Sequence, residues 1–227
     1  MGPRRGRSGL AEGLALIFDM DGVLVDSNPA HCRAWEAFNR QYGLETTTAM
    51  RRSMYGKRND EIIREYFGPD LPAEEVAARG AAKERLYREM IAGHLEEMLV
   101  PGVRVFLELH RADPMAVATN AEPQNLDFLL DHAGLWPYFR VVMDGHQVRH
   151  PKPHPELYLK TAELLGIAAE NCIVFEDSYY GVEAALAAGA RVIGVLTTHE
   201  DLPGAALTID NFGNGDLAPW LCAQRAV

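Results

Sequence analysis

Five short apolar runs, separated by helical patterns, constrain the fold of this chain more than any other feature. The runs are LALIF (14–18), MAVAT (115–119), FRVVM (139–143), CIVFE (172–176) and RVIGVL (191–196). Each has the length of a strand, and none alternates with polar residues, which is typical of strands buried on both faces of a parallel sheet. Helical patterns lie between the later runs, at 123–135, 154–167 and 179–190. This alternation predicts an α/β fold with a doubly wound parallel sheet and right-handed crossovers.

The alternation stops between the first and second runs, where the chain carries only helical patterns. The clearest is EEVAARGAAKERLYREMIAGHLEEM (74–98), which is rich in Ala, Glu, Arg and Leu. Turn signals border this stretch, Asn28-Pro29 before it and Pro101-Gly102 after it. We therefore expect a helical insert of about 70 residues between the first strand and the rest of the sheet.

The insert divides the chain into three predicted parts. They are a disordered leader at 1–12, an α/β core at 13–28 and 99–227, and a helical cap at 29–98. No apolar stretch of signal-peptide length follows the arginines of the leader, and no run reaches the roughly 18 apolar residues of a transmembrane helix. The three cysteines, Cys32, Cys172 and Cys222, form no CxxC pair. We expect a cytoplasmic protein that does not associate with a membrane.

The charge of the chain excludes one class of partner. The formal net charge is -10 at pH 7, and the basic residues form no long patch. Binding to a nucleic-acid backbone relies on clustered Lys and Arg, so we expect no nucleic-acid partner. An acidic chain can still bind an anion locally. We expect the protein to be a monomer.

Polar clusters follow four of the predicted strands at their carboxyl ends. They are Asp19 and Asp21, then Thr119 and Asn120, then Lys152 in the loop RHPKPHP, and finally Glu176, Asp177 and Ser178. Ligands of open parallel sheets bind beyond the carboxyl ends of the strands, so we expect the clusters to meet. One cluster alone is weak evidence, because Glu176-Asp177-Ser178 would also serve as a helix N-cap. Four clusters together predict a functional site.

These motifs resemble those of the haloacid-dehalogenase-like phosphohydrolases. DMDGVLVDS (19–27) matches DxDGxxxDS, which is highly specific for that superfamily. KPHPE (152–156) and EDSYYGVEAALAAG (176–189) are typical of its sugar-phosphate-acting branch. The resemblance extends from about Leu14 to Asp210. It implies a Rossmann-like core, with the helical insert as a small mobile cap.

The resemblance implies a phosphoryl-transfer site. Asp19 is the implied nucleophile, which forms an aspartyl-phosphate, and Asp21 is the implied general acid and base. Thr119 and Asn120 would donate hydrogen bonds to the transferring group. Lys152 would neutralise that group and the nucleophile. Asp21 favours phosphoryl transfer over dehalogenation, because displacement of a halide leaves no alkoxide to protonate.

The implied cofactor is Mg²⁺, a hard cation that takes oxygen ligands. The resemblance implies that the Asp19 carboxylate, the Asp21 backbone carbonyl and Asp177 hold the ion, with Glu176 nearby. A phosphate ester repels a carboxylate nucleophile, so the site must supply cations before Asp19 can attack.

The first cap helix resembles that of β-phosphoglucomutases and of small sugar-phosphate phosphatases. The matching segment is DSNPAHCRAW (26–35), with His31 where the mutases carry a His that assists Asp21. A histidine packed beside Trp35 and Phe38 would give the same pattern, so both interpretations stay open.

The segment YGKRNDEI (55–62) resembles the substrate-specificity loop of the cap. Its candidate substrate contacts are Gly56, Lys57, Arg58 and Asn59. Asn59 stands where the mutases carry a basic residue that binds the second phosphate of a bisphosphate intermediate. Lys83 stands where they carry another cap lysine, although a solvated helix face would also explain a lysine there.

The resemblance implies a Mg²⁺-dependent hydrolase that acts on a small phosphorylated metabolite through an aspartyl-phosphate. A sugar phosphate is the favoured substrate. The main alternative is β-phosphoglucomutase, an isomerase that returns the phosphoryl group to the sugar instead of giving it to water. An inorganic pyrophosphatase is a weaker alternative, and so is a catalytically silent binding protein, because no catalytic position is missing.

Overall fold

The computed structural model describes residues 13–225, so the predicted leader at 1–12 lies outside the described residues. The strands are β1 (Ala15–Phe18), β2 (Met115–Ala118), β3 (Val141–Met143), β4 (Cys172–Glu176), β5 (Arg191–Val195) and β6 (Leu207–Ile209). They form a six-stranded parallel sheet in the order β3-β2-β1-β4-β5-β6. The predicted α/β fold with a doubly wound parallel sheet is confirmed.

The first five strands coincide with the five apolar runs, whereas β6 was not predicted. β6 is three residues long, lies at the edge of the sheet and exposes Thr208. A short edge strand with one polar face needs no continuous apolar run, which is why the pattern of buried strands missed it.

Helices cover the sheet and fill the long connection between β1 and β2. In residues 13–225 they are α1 (Asn28–Gln41), α2 (Thr48–Met54), α3 (Asn59–Phe67), α4 (Ala73–Ile91), α5 (Leu95–Met98), α6 (Val103–Leu109), α7 (Pro123–His132), α8 (Glu156–Leu165), α9 (Tyr179–Ala187) and α10 (Leu217–Arg225). None of these helices has both the length and the hydropathy that a bilayer crossing requires.

The two faces of the sheet bury separate apolar clusters. Because successive side chains of a strand point to opposite faces, Leu16 and Phe18 of β1 pack on one side and Ala15 and Ile17 on the other. The first face is covered by side chains of α6, α7 and α10, and the second by side chains of α8 and α9. Burial on both faces explains why the central strands are apolar throughout.

Residues 28–98, here called the helical segment, have an apolar cluster of their own. Trp35 and Phe38 of α1 pack there with Ile62 and Ile63 of α3. The boundaries predicted for a separate cap domain stay a prediction.

The helical segment lies over the carboxyl edge of the sheet. Arg58 Nη1 donates a hydrogen bond to Gly145 O at 3.3 Å, and Asn120 Nδ2 donates one to Gly56 O at 3.0 Å. These contacts place the loop between α2 and α3 directly above the ends of β2 and β3.

Candidate active site

A cavity of about 550 Å³ lies between the carboxyl edge of the sheet and the helical segment. Its walls include all but one of the site residues predicted from the sequence. These are Asp19, Asp21, Thr119, Asn120, Lys152 and Asp177 from the core, and His31, Gly56, Lys57, Arg58, Asn59 and Lys83 from the helical segment. The exception is Glu176, which is fully buried beneath the cavity floor. The strand-end clusters therefore meet, while the chemical role of each residue stays a prediction.

The loop after β1 is shaped by Gly22. This residue has a φ of +77°, a left-handed conformation that favours glycine. A Cβ atom at Gly22 would overlap the carboxylate of Asp177, so only glycine lets the loop lie against β4. Thr197 Oγ1 donates a hydrogen bond to Gly22 O at 2.6 Å and fixes the loop from the other side.

Lys152 lies between two carboxylates in the floor of the cavity. Its Nζ donates hydrogen bonds to Glu176 Oε1 at 2.6 Å and to Ala118 O at 3.1 Å, and it lies 3.0 Å from Asp19 Oδ1. Asp19 Oδ1 is buried and accepts no hydrogen bond from any residue in 13–225. Asp19 therefore has a buried carboxylate oxygen whose contact is the ion pair with Lys152.

Burial raises the pKa of Asp19 to about 7, although the charge of Lys152 acts in the opposite direction. The neighbouring carboxylates Glu176 and Asp21 raise that pKa further. Burial also raises the pKa of Asp177, to which the charges of Glu176 and Asp19 add. The floor of the cavity thus holds more negative charge than Lys152 offsets.

This buried acidic cluster could bind a metal ion. Three carboxylate oxygens, one each from Asp19, Glu176 and Asp177, lie within 4.8 Å of one another. Asp177 Oδ2 accepts two hydrogen bonds, one from Asn28 Nδ2 at 2.9 Å and one from Thr198 Oγ1. A hard divalent cation fits this set, because it would bind carboxylate oxygens and relieve the repulsion among the carboxylates.

The carboxylate of Glu176 is already occupied by protein donors. Oε1 accepts hydrogen bonds from Lys152 and from the Tyr158 hydroxyl at 2.5 Å. Oε2 accepts hydrogen bonds from the backbone N–H groups of Asp177 and Ser178 and from the Ser178 hydroxyl. Gly181 leaves room for this carboxylate under the first turn of α9, because a Cβ there would overlap it. The contacts favour a role for Glu176 in holding Lys152 and α9 in place, rather than direct coordination.

Asp21 faces the helical segment. Its Oδ1 accepts a hydrogen bond from Ser27 Oγ at 2.5 Å and lies 3.3 Å from His31 Nε2. Burial by itself raises the pKa of Asp21, but the contact with His31 and the hydrogen bond of Ser27 outweigh it and lower that pKa. This environment favours the ionised carboxylate, which can accept a proton.

His31 connects Asp21 to the helical segment. Its ring stacks on Tyr87 with 3.7 Å between the centroids, and its Nδ1 lies 2.7 Å from Lys83 Nζ. A protonated lysine only donates, so Nδ1 is the acceptor and Nε2–H points at Asp21. His31 therefore does more than pack beside Trp35. The solvated helix face considered for Lys83 is wrong, because that residue is 1% exposed and also contacts Glu84 Oε1 at 2.9 Å.

The two residues that follow β2 differ in whether their side-chain polar groups are available to bind a ligand. Thr119 Oγ1 accepts a hydrogen bond from Ala121 N at 3.1 Å, and its hydroxyl proton is available for a ligand. The Asn120 side chain accepts a hydrogen bond from Lys152 N at 3.2 Å and donates to Gly56 O. Thr119 is thus the better placed of the two to bind a phosphoryl group.

The predicted contacts in the specificity loop are all partnered. Lys57 Nζ forms an ion pair with Glu65 at 2.8 Å, and Arg58 Nε forms one with Asp60 at 3.3 Å. Asn59 Nδ2 donates hydrogen bonds to two carboxylates. The acceptors are Glu84 Oε1 at 2.6 Å and Glu122 Oε1 at 3.1 Å.

Several residues of the site were not singled out from the sequence. They are Ser27, Asn28, Glu84, Glu122, Tyr158 and Thr198. Thr198 follows β5, so the rule that located the other clusters would have found it. Glu122 lies two residues after Asn120 in the same strand-end loop. Glu84 and Tyr158 gave no signal, since each lies within an ordinary helical pattern.

Comparison with known proteins gives consistent matches. The family model of haloacid dehalogenase-like hydrolases matches residues 14–189. Fructose-1-phosphate phosphatase YqaB of Escherichia coli is 35% identical over 183 residues, which cover 79% of this chain and 95% of that protein. A phosphorylated carbohydrates phosphatase of Thermotoga maritima is 34% identical over 194 residues, which cover 82% of this chain and 87% of that protein.

A solved structure matches over nearly the whole chain. It is the crystal structure of β-phosphoglucomutase from Clostridium difficile, with a TM-score of 0.83 and 25% sequence identity. The match covers 94% of this chain and 97% of that chain.

Proposed function

This chain belongs to the haloacid dehalogenase-like hydrolase family, and on that premise we propose that it is a Mg²⁺-dependent phosphatase of a phosphorylated sugar. The observation that carries the proposal is the buried carboxylate of Asp19 in ion-pair contact with Lys152 at the floor of the cavity. The names of the Escherichia coli and Thermotoga maritima relatives support the substrate class, since both are phosphatases of phosphorylated sugars.

Asp19 is the proposed nucleophile. Its carboxylate oxygen attacks phosphorus, the bond between phosphorus and the sugar oxygen breaks, and an aspartyl-phosphate forms. The departing alkoxide takes a proton that Asp21 donates. Water then attacks phosphorus, Asp21 accepts its proton, and inorganic phosphate leaves with Asp19 regenerated. The first step requires the protonated carboxyl of Asp21, whereas its lowered pKa suits the second step, because the base must be ionised to accept that proton.

The charges around Asp19 support such a step. Lys152 neutralises the nucleophile and the phosphoryl group, and the Thr119 hydroxyl donates to a phosphoryl oxygen. The residues that would hold Mg²⁺ are Asp19 and Asp177, with the backbone carbonyl of Asp21. When bound, the ion supplies further positive charge for the transferring group.

A β-phosphoglucomutase activity is the second candidate. It is supported by the structural match to the Clostridium difficile enzyme and by the contact between His31 and Asp21. The two activities share the aspartyl-phosphate and differ in whether water or a second sugar hydroxyl receives the phosphoryl group.

A substrate panel separates the two candidates. We expect the purified protein with Mg²⁺ to release inorganic phosphate from at least one sugar phosphate in a panel that also holds nucleotides and pyrophosphate. No release from any ester would reject the phosphatase. A mutase would form glucose 6-phosphate from β-glucose 1-phosphate in the presence of catalytic glucose 1,6-bisphosphate. Formation of free glucose alone would exclude the mutase activity. The monomeric state and the cytoplasmic location stay predictions.

A further inference from the structure

The helical segment supplies four cations to the cavity wall, Lys57, Arg58, Arg64 and Lys83. Three of them already have a carboxylate partner: Lys57 with Glu65, Arg58 with Asp60 and Lys83 with Glu84. The fourth, Arg64, donates hydrogen bonds from Nη1 to the backbone oxygens of Pro69 and Leu71. Recognition of a phosphate group relies on charge-assisted hydrogen bonds from Arg or Lys. A second phosphoryl group that binds Lys57, Arg58 or Lys83 would have to displace the carboxylate partner of that residue.

Glu122 adds a carboxylate to the wall of the same cavity. It is half-buried, lines the cavity and follows Thr119 by three residues. In residues 13–225 no cation forms an ion pair with it. Its side chain instead accepts a hydrogen bond from Asn59 Nδ2 at 3.1 Å. Glu122 is therefore a carboxylate in the cavity wall that has no ion-pair partner in the described part of the chain.

The position of Glu122 is defined from two sides. The residue immediately precedes α7, so its backbone is fixed at the start of that helix, where its C=O accepts hydrogen bonds from Asn125 N and Leu126 N. On the other side, α4 passes close by at Gly80, where a Cβ atom would lie 3.5 Å from Glu122 Oε1. Asn59 joins the two sides, because its amide also donates to Glu84 Oε1.

We propose that Glu122 determines specificity by accepting hydrogen bonds from hydroxyl groups at the far end of the sugar and by repelling a second phosphoryl group. An ionised carboxylate has about four acceptor positions, which suits a polyhydroxylated, uncharged ligand end. A phosphate dianion at the same place meets a like charge that has no ion-pair partner among residues 13–225. The substrate class is therefore a polyhydroxylated sugar or sugar alcohol with one phosphoryl group. The inference rests on the proposed phosphatase function and narrows it.

The test compares kcat/KM for fructose 1-phosphate and fructose 1,6-bisphosphate in four proteins: wild type, Glu122→Lys, Glu122→Gln and Asp127→Lys. Asp127 lies on α7 with its side chain exposed and outside the cavity walls, so Asp127→Lys makes the same change of charge without reaching the substrate. We expect the wild type and Asp127→Lys to prefer the monophosphate by about tenfold or more, equivalent to about 1.4 kcal/mol.

Glu122→Lys should lower that preference by about tenfold or more, mainly through the KM of the bisphosphate, and Glu122→Gln should lower it by less. An unchanged ratio in Glu122→Lys, or equal use of both esters by the wild type, would overturn the inference while leaving the phosphatase intact. If the wild type released no phosphate from either ester, the proposed function would fail. The affinities of both esters for Asp19→Asn, measured by calorimetry, would then test the inference about Glu122. Tighter binding of the monophosphate would support that inference, and equal binding would reject it.

Discussion

Lys152 Nζ lies 3.0 Å from Asp19 Oδ1 but donates its hydrogen bonds to Glu176 Oε1 and Ala118 O. The lysine thus places its charge beside the Asp19 carboxylate, while Glu176 and the Ala118 carbonyl fix the position of its ammonium group.

Lys152→Met tests the energetic side of this arrangement. The substitution leaves Asp19 and Glu176 as buried carboxylates without their cation, so we expect the free energy of unfolding to fall by about 3–5 kcal/mol. Urea denaturation at neutral pH measures it. Lys160→Met is the matched control, since Lys160 forms a partly exposed ion pair with Glu156 and should cost about 1 kcal/mol or less. Equal losses for the two variants would contradict the account.

Gly22→Ala tests the packing of the loop that follows β1. The added Cβ needs a left-handed backbone and overlaps the Asp177 carboxylate, so we expect both lower stability and weaker Mg²⁺ binding. Gly43→Ala is the control, because Gly43 has a similar φ of +70° but open space around it. We expect the free energy of unfolding to fall by about 1 kcal/mol in Gly43→Ala and by about 2 kcal/mol more in Gly22→Ala. Denaturant unfolding and Mg²⁺ titration calorimetry measure the two effects, and similar results for both variants would reject the steric argument.

Glu84 makes a predictable contribution to the pH dependence of stability. Burial alone raises the pKa of Glu84, but Lys83, His31 and the amides of Asn125 and Asn59 lower it to about 2. A carboxyl group whose pKa is lower in the folded state stabilises the fold above the unfolded pKa of 4.5 and loses that contribution as the pH falls toward about 2.

The comparison of wild type with Glu84→Gln over this range is the measurement. The wild type should be more stable near neutral pH, and the difference in the free energy of unfolding should shrink as the pH falls below about 4.5. Glu89→Gln, an exposed residue on the same helix, should show little such dependence. A difference for Glu84→Gln that stays constant with pH would contradict the assigned pKa.

The sequence allowed the sheet and the floor of the site to be predicted because both follow from local rules. Strands buried on two faces must be apolar throughout, and polar residues directly after them must meet at one edge, as Asp19 and Asp177 do. The burial of Lys83 could not be predicted in this way. A lysine in a helical pattern is usually solvated, and only the packing of α4 on α1 places this one beside His31 and Glu84. The partner of Asn59 was hidden for the same reason, since Glu122 comes from another part of the chain.

Identification of the phosphorylated residue tests the central claim most directly. The protein is mixed with a sugar phosphate that it hydrolyses, quenched within the steady state, reduced with borohydride to convert an aspartyl-phosphate to homoserine, and mapped by peptide mass spectrometry. The account predicts homoserine at position 19 in the wild type, and neither homoserine nor turnover in Asp19→Asn, whose fold should be unchanged. Modification at another residue, or sustained turnover by Asp19→Asn, would contradict it.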